Sequence, residues 1–261
     1  MKKLFLVLTL VLFVSSFLGA DIYVKNMERT EAFELMGKKQ PEKVEIKEQW
    51  LGKNKFAQFG KEYSIIVDYD KDKIYFIIHK LKDYYVFPTS FDREKLLELL
   101  LGLNPKAAEV VESIKITDAK VNLTGEKKKI ANWDCFSSEF EMVFAIPALG
   151  IMPKYKIKLW TTKDIPFNYK SYTEGLSEFF GKFILGIINV DENSIKELEK
   201  LDKMDGFQVA AEITINIFGS EIKVESQSLE IAEKPAPPGT YSVPKGYTKK
   251  IIHLPGGLDL F

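Results

Sequence analysis

Cysteine and histidine are scarce in this chain of 261 residues, which has one Cys and two His. A single Cys excludes intramolecular disulfides and thiolate zinc sites, and two His are too few for a histidine-rich metal centre. We therefore expect no metal and no cofactor. The formal net charge is zero, with 37 Lys and Arg against 37 Asp and Glu, which argues against a nucleic-acid partner. An apolar content of 46% is typical of a folded chain.

Residues 1–20 have the pattern of a secretory signal peptide. Lys2 and Lys3 precede the largely apolar run Leu4–Val14, and small residues follow up to Ala20. This run has 11 residues, whereas a bilayer-spanning helix needs about 20, so an uncleaved anchor is the weaker alternative. We predict cleavage near Ala20 and a periplasmic location, with no transmembrane segment in the mature chain. Removing two Lys leaves 35 basic and 37 acidic residues, a formal charge of −2.

Most of the remaining chain alternates apolar and polar residues, which predicts an antiparallel meander. The pattern is clear in Tyr63–Tyr69, Lys73–His79 and Tyr84–Phe87, and again in 135–146 and 155–159. We expect nine to eleven antiparallel strands, mostly apolar on one face. The last hairpin has Gly219-Ser220 as its predicted turn, which pairs Ile217 with Ile222 and Ile215 with Val224.

Helical periodicity interrupts the strands in two blocks. The first predicted helix covers 93–103, with Asp92 as N-cap and Asn104-Pro105 as its end. The second covers about 169–188 and has a wide apolar stripe. Ser194 and Glu197 resemble a capping box for a further short helix. The predicted fold class is α+β, a strongly curved antiparallel sheet with helices over its concave face.

Six stretches of the chain match a known pattern. They are Glu45–Lys53 (EIKEQWLGK), Ile66–His79 (IVDYDKDKIYFIIH), Asn132–Cys135 (NWDC), Leu159–Tyr169 (LWTTKDIPFNY), Gly206–Ile231 and Pro237–Lys250 (PPGTYSVPKGYTKK). In these stretches the chain resembles an exported bacterial domain-of-unknown-function family (family 4412), which is distantly similar to the LolA/LolB lipoprotein carriers. The resemblance implies an unclosed half-barrel over 21–233 with helices in its concave face, where such carriers hold acyl chains. It implies no catalytic residues. Residues 234–261 form a predicted Pro/Gly-rich C-terminal tail.

The residues that carry chemistry elsewhere have no partner motifs here. His79 lies in a strand pattern without a Ser-containing elbow motif, so we expect a structural histidine, although a cluster of ionisable groups around it would favour a hydrolase. Cys135 is preceded by an acid and not by a cation, which favours a packed, inert thiol over an intermolecular disulfide. We therefore expect no enzyme activity.

The function predicted from these patterns is binding or carriage of an apolar, lipid-like ligand such as a lipoprotein acyl chain. The residues predicted to line the cavity are Trp50, Ile65, Val67, Phe76, Phe140, Met142, Phe144, Phe179 and Phe183. The apolar loop Pro147–Pro153 is a candidate mouth or docking patch. The alternative is an envelope structural or interaction protein with a solid core, acting through a sheet edge or the tail. The oligomeric state is open at this point.

Overall fold

The structure is a computed structural model that describes residues 20–89, 105–170 and 188–250, positions 94 and 97, and the pairs 252–253 and 259–260. Its strands are β1 Asp21–Thr30, β2 Phe33–Leu35, β3 Lys38–Gln40, β4 Lys43–Gly52, β5 Lys55–Phe59, β6 Tyr63–Asp68, β7 Lys73–Ile78, β8 Asp83–Phe87, β9 Lys115–Asn122, β10 Lys127–Ile130, β11 Trp133–Ala145, β12 Lys154–Thr162, β13 Asn189–Val190, β14 Phe207–Ile217, β15 Ser220–Lys234, β16 Thr248–Lys249, β17 Ile252–His253 and β18 Asp259–Leu260. The α-helices are α1 Pro105–Ser113 and α2 Glu192–Leu198, and short 3-10 turns cover Tyr69–Lys71, Pro147–Leu149 and Glu199–Lys203.

One large, curved and predominantly antiparallel sheet of 14 strands dominates the described residues. Its strand order is β13-β9-β11-β12-β14-β15-β1-β4-β5-β6-β7-β8-β16, with β10 paired to β11. Within the described residues the sheet is unclosed, because its outermost strands β13 and β16 pair only with β9 and β8. Both of these outer pairings are parallel. The sheet has 14 strands, more than the nine to eleven predicted, and its pairing is not purely antiparallel.

The first half-sheet, β1 with β4–β8, is packed on both of its faces. Ile22, Val24, Leu51 and Val67 are buried on one side, which we call the Ile22 face. A second cluster lies on the other side, the Tyr23 face, and consists of Tyr23, Trp50, Ala57, Ile66 and Ile77. The prediction of strands that are apolar on one face was thus wrong for this half, whose strands are apolar on both sides as expected of a fully covered sheet.

Two separate segments cover these two faces. Ile165, Phe167 and Tyr169, which follow β12, pack on the Ile22 face, and the Tyr169 and Phe207 rings meet edge to face at 5.7 Å. Tyr241, Val243 and Tyr247 of the C-terminal tail pack on the Tyr23 face. These two segments contain the most distinctive motifs of the sequence, W-T-T-K-D-I-P and G-T-Y-S-V-P. Their role in the fold is to cover the first half-sheet.

The tail is fastened to the sheet by polar contacts as well. The Tyr241 hydroxyl donates to Asp21 Oδ2 at 2.9 Å, and the backbone N–H of Lys250 donates to the Tyr84 carbonyl at 2.8 Å. Gly52 makes room for this contact, since a Cβ there would lie 2.8 Å from the Tyr241 oxygen. Residues 235–250 are therefore an integral cover of the fold and not a loose extension.

The last hairpin differs from its predicted register. Its two-residue turn is Phe218-Gly219, both with positive φ, so that Ile217 pairs with Ser220 and Ile215 with Ile222. The prediction placed the turn one residue later, because Gly-Ser is the more usual turn pair. The two registers differ by two residues in the partner strand, so the same side chains still share a face.

The helices also required correction. Pro105, predicted to end a helix, begins α1, which fits because a proline at the first helical position lacks only an N–H that would be unpaired anyway. The N-cap of α2 is Asp191, which accepts from the N–H groups of Asn193 and Ser194, whereas the predicted cap Ser194 is buried inside the helix. The predicted helices 93–103 and 169–188 lie largely outside the described residues, so their position over the sheet stays a prediction.

Candidate functional site

The second half-sheet, β9–β12 with β14 and β15, continues the Ile22 face as an apolar surface. The strand register aligns Val121, Phe140, Ile157, Ile213 and Val224 in one row. The next row contains Ala119, Met142, Tyr155, Ile215 and Ile222. Apart from the edge residues Val121 and Ala119, all of these side chains are only half-buried. This surface, the two rows together with Phe144, is the candidate site, and we call it the open apolar face.

An aromatic pair strengthens one end of the open apolar face. The rings of Phe144 and Tyr155 meet edge to face with centroids 5.0 Å apart. Both rings are half-buried. Aromatic side chains present large, rigid apolar areas, so this end of the surface is suited to contact with acyl chains or other apolar groups.

The opposite face of the same strands is charged. Lys158 Nζ lies 2.5 Å from Glu126 and 3.2 Å from Glu139, and the Trp160 indole N–H donates to Glu212 at 3.0 Å. Lys128 and Lys158 both lie over the Trp160 ring, about 5 Å from its centroid. At one end of this face the ion pairs lie beside a small buried cluster of Ile130, Cys135, Trp160, Val209 and Ala210. The second half-sheet therefore has one face that combines ion pairs with a small buried cluster, and one face that is apolar and half-buried.

The nine residues predicted to line a cavity do not form one group. Phe140, Met142 and Phe144 lie on the open apolar face, in the positions their alternation indicates. Ile65, Val67 and Phe76 lie on the same face of the sheet but in the first half-sheet, where Val67 is fully buried.

Trp50 is on the Tyr23 face, packed beside Tyr23 with ring centroids 4.8 Å apart and covered by the tail. The sheet itself separates it from the six other predicted lining residues that the structure describes. Phe179 and Phe183 lie outside the described residues. The role of all nine residues in ligand binding stays a prediction.

A polar row separates the two apolar regions of the Ile22 face, and the sequence analysis missed it. Ser228 donates to Asn26 Oδ1 at 2.8 Å, Asn26 donates to Gln49 Oε1 at 3.4 Å, and Gln49 donates to Gln58 Oε1 at 2.8 Å. Beside it, Lys47 pairs with Glu28 at 2.7 Å. No local signal indicated it, because Lys47 and Gln49 alternate with Ile46 and Trp50 at positions where polar residues are ordinary, and the row forms only when β15, β1, β4 and β5 pair.

His79 lies beside a serine, a residue type that can act as a nucleophile. Ser64 Oγ lies 2.7 Å from its Nε2, and the Tyr247 hydroxyl lies 2.7 Å from its Nδ1. Ser64, however, is completely buried beneath the tail face, and the group that orients the ring is a tyrosine and not a carboxylate. A substrate would have to reach a serine without exposed surface. This arrangement therefore fastens the tail to β6 and β7, in agreement with the structural role predicted for His79.

Cys135 is buried, with only 1% of its surface exposed. Burial is the main cause that raises the pKa of its thiol, and the carboxylates of Asp164 and Asp134 act in the same direction. Its Sγ donates to the Trp133 carbonyl at 3.4 Å. A buried, protonated thiol is a poor nucleophile, which agrees with the inert packing role predicted from the sequence.

The part of the chain that the structure describes lacks two further kinds of feature. Within it, no three His, Cys, Asp or Glu side chains converge in a way that would hold a metal ion. In the same residues, no helix combines the length and apolar character needed to cross a membrane.

Comparison with known proteins gives weak similarities only. No family model and no curated protein matches the chain. An outer membrane lipoprotein-sorting protein domain from Vibrio parahaemolyticus is similar at 9% identity and a TM-score of 0.25, covering 82% of this chain and 85% of that one. A DUF1329 family protein from Desulfovibrio piger is similar at 11% identity and a TM-score of 0.22, covering 88% and 92%. Similarity at this level carries no argument about function, and membership of family 4412 is not confirmed.

Proposed function

We propose that this protein is exported to the periplasm and binds or carries an apolar, lipid-like ligand on the open apolar face. The observation that carries the proposal is the half-burial of Phe140, Met142, Tyr155 and Ile215 on a face whose other half is a closed core. The signal-peptide pattern of residues 1–20 supports export. Affinity would come from burial of acyl chains, at about 0.8 kcal/mol per CH₂ group, without covalent chemistry.

The polar row supports an amphiphilic ligand in particular. Asn26, Gln49 and Gln58 lie along the border of the open apolar face, and Lys47 lies beside them. A lipid whose acyl chain covers the apolar rows would bring its ester or head group toward these amides, which have further hydrogen-bonding capacity. The apolar rows would provide affinity and the polar row orientation.

The test is lipid binding by the purified protein and by two face-specific variants. Native mass spectrometry after export from a bacterial host is expected to show a copurified lipid. Met142→Gln combined with Ile215→Gln places two amides in the open apolar face and is expected to weaken binding of a fluorescent fatty acid at least about tenfold.

A matched control has the same side chain on the charged face of the same strands. Val143→Gln with Thr214→Gln is expected to bind the fatty acid as the wild type does, since both positions lie on the opposite side of the sheet. Both double variants should unfold at similar urea concentrations. Equal binding by the two double variants, or the absence of any bound lipid in the wild type, would refute the proposal.

The alternative is an envelope structural or interaction protein with a solid core. The specific observation in its favour is the first half-sheet, which is filled on both faces by Tyr169 and Tyr241 and their neighbours. It predicts that the exported wild-type protein is crosslinked to a partner protein through a sheet edge or the tail and carries no bound lipid.

A further inference from the structure

The turns at one end of the sheet carry exposed large hydrophobic side chains. The strand register places the polar β5–β6 turn, residues 60–62, at this end. It also brings together here the β2–β3 turn, the β7–β8 turn, the β11–β12 loop and the β14–β15 turn. Their tips are Met36, Leu81, Leu149, Met152 and Phe218, each with 50% to 73% of its surface exposed. We call these five residues the hydrophobic rim. Proteins usually place polar residues in such turns.

The opposite end of the sheet has the ordinary composition. Its turns contain Lys53-Asn54, Tyr69–Asp72, Ala131-Asn132 and the segment around Gly125. Leu123, in the β9–β10 connection, is the one large hydrophobic residue exposed in those turns among the described residues, at 43%. The two ends of the same strands therefore differ in how many large hydrophobic side chains their turns expose. The average composition of a protein surface does not explain this difference.

Backbone geometry makes two of the rim positions especially unusual. Met36 and Phe218 have φ values of 51° and 52° and are each followed by a glycine with positive φ, so both turns are two-residue turns of type I′. Asn-Gly is the usual sequence of such turns, because Asn tolerates the left-handed region far better than a bulky side chain. A large hydrophobic residue here is unfavourable to the turn and is also exposed to water. Neither folding nor solubility explains it.

Charge around the rim points to the kind of surface it meets. The β5–β6 turn, the four turns that carry the rim and the strand ends beside them contain Lys38, Lys39, Lys61, Lys80, Lys82, Lys154 and Lys223 against Glu34, Glu62, Asp83 and Glu221. Seven lysines against four acids is a basic excess in a chain whose total formal charge is zero. Apolar side chains ringed by lysine are the composition that inserts among anionic lipid head groups.

From these observations we propose that the hydrophobic rim docks the protein on the surface of an anionic lipid bilayer. Met36, Leu81, Leu149, Met152 and Phe218 insert into the interface, and the surrounding lysines contact the head groups. The five side chains are spread over four separate turns, two of them on the β11–β12 loop, and do not form one contiguous patch. A fluid lipid interface accommodates this spacing, whereas a protein partner usually meets a contiguous apolar core. Phe144 and Tyr155 of the open apolar face are at the same end of the sheet. This docking would therefore bring the proposed ligand site to the membrane, although the rim argument does not depend on a bound ligand.

The test uses Met36→Asn with Phe218→Asn, in the chain recovered after export from a bacterial host. These changes create two Asn-Gly turns, so the fold is expected to be at least as stable as the wild type. Wild-type protein should cosediment with vesicles of phosphatidylcholine and phosphatidylglycerol, and more weakly with pure phosphatidylcholine. The double variant should lose at least about tenfold in its partition onto the mixed vesicles.

Leu123→Asn is the matched control, because it removes an exposed leucine at the opposite end of the sheet. It should partition as the wild type does. Wild-type protein that stays in the supernatant, or a double variant that binds as strongly as Leu123→Asn, overturns the proposal. Capture of one defined protein at the rim in place of lipid also overturns it. Fatty-acid binding measured without vesicles reports separately on the open apolar face, so failure of one proposal is distinguishable from failure of the other.

Discussion

The two halves of the sheet are built from similar alternating strands but end in different states. In the first half-sheet, Ile22, Ile66 and Ile77 are fully buried, because the segment at 165–169 and the C-terminal tail cover both faces. In the second half-sheet, Phe140 and Ile215 remain half-buried, and the reverse face has ion pairs beside a small buried cluster around Trp160. The same kind of strand thus forms a core where a covering segment is present and an open surface where the described residues provide none.

The two halves of the sheet therefore have different roles. The first half-sheet contains the buried side chains that stabilise the fold, and the second presents apolar side chains that remain half-buried. Burial of apolar surface is the main favourable contribution to stability, so substitutions should affect the two halves very differently.

The largest difference is expected from one identical substitution in each half. Phe56→Ala empties a position in the Ile22-face core and should lower the free energy of unfolding by about 3–4 kcal/mol. Phe140→Ala removes a half-buried ring and should cost about 1 kcal/mol or less. Urea unfolding followed by tryptophan fluorescence measures both. Equal losses would mean that the second half-sheet is as closely packed as the first.

The next effect concerns the tail as a cover. Gly52→Ala places a methyl group against the Tyr241 oxygen and Asp21 Oδ1, and should cost about 1–2 kcal/mol because it breaks a partly buried hydrogen bond. Trypsin should then cleave the tail at Lys245 or Lys249 faster than in the wild type. Lys53→Ala, at the next residue, is the control and should leave cleavage unchanged. A Gly52→Ala protein with a protected tail would show that the cover does not depend on this contact.

The smallest effect is a difference in acid sensitivity. Asp68 in the first half-sheet is fully buried; burial acts to raise its pKa, but hydrogen bonds and charge from Lys71 prevail and lower the pKa below 3.8. Its contribution to stability is therefore fully present above pH 3.8, the ordinary value, and is lost as the pH falls through the lowered pKa of the folded state. Asp68→Asn should cost about 1–2 kcal/mol at neutral pH and progressively less below that value.

The control for acid sensitivity is Glu126→Gln in the second half-sheet. Glu126 pairs with Lys158 at 2.5 Å but has 56% of its side chain exposed, so the loss of this pair should change stability by less than about 1 kcal/mol at any pH. Urea midpoints measured at several pH values compare the two variants. If Glu126→Gln proved the more pH-sensitive of the two, the acid-labile interactions would lie in the open half.

The strands that alternate cleanly were predictable. Tyr63–Tyr69, Lys73–His79 and the last hairpin occur close to their predicted bounds, because a period of two is imposed by the strand geometry itself. The structural role of His79 and the burial of Cys135 were predictable because the sequence around each residue has no motif that would make it reactive. No strand was predicted for β1, because Asp21–Thr30 mixes charged and apolar residues. No helix was predicted for α1, because Pro105 was interpreted as the end of a helix, whereas a proline can also begin one.

The candidate site was predictable only in part, and Trp50 shows why. The alternation of Trp50 with Gln49 and Leu51 shows that their side chains lie on opposite faces, but it does not show which segment covers which face. Both covering segments lie more than 100 residues away from Trp50 along the chain. The polar row across β15, β1, β4 and β5 likewise exists only after strands distant in sequence have paired. Long-range pairing is not encoded in any local pattern.

The amino-acid sequence alone reveals the strand periodicity, the shortage of catalytic and metal-binding residues, and the signal-peptide pattern of residues 1–20. Each of these is a property of composition or of neighbouring residues. Only the folded chain shows which apolar faces are covered and which turns share an end of the sheet. It also shows that His79 contacts Ser64 and Tyr247. These depend on the order in which distant strands pair, because burial is a property of what covers a side chain and not of the side chain alone.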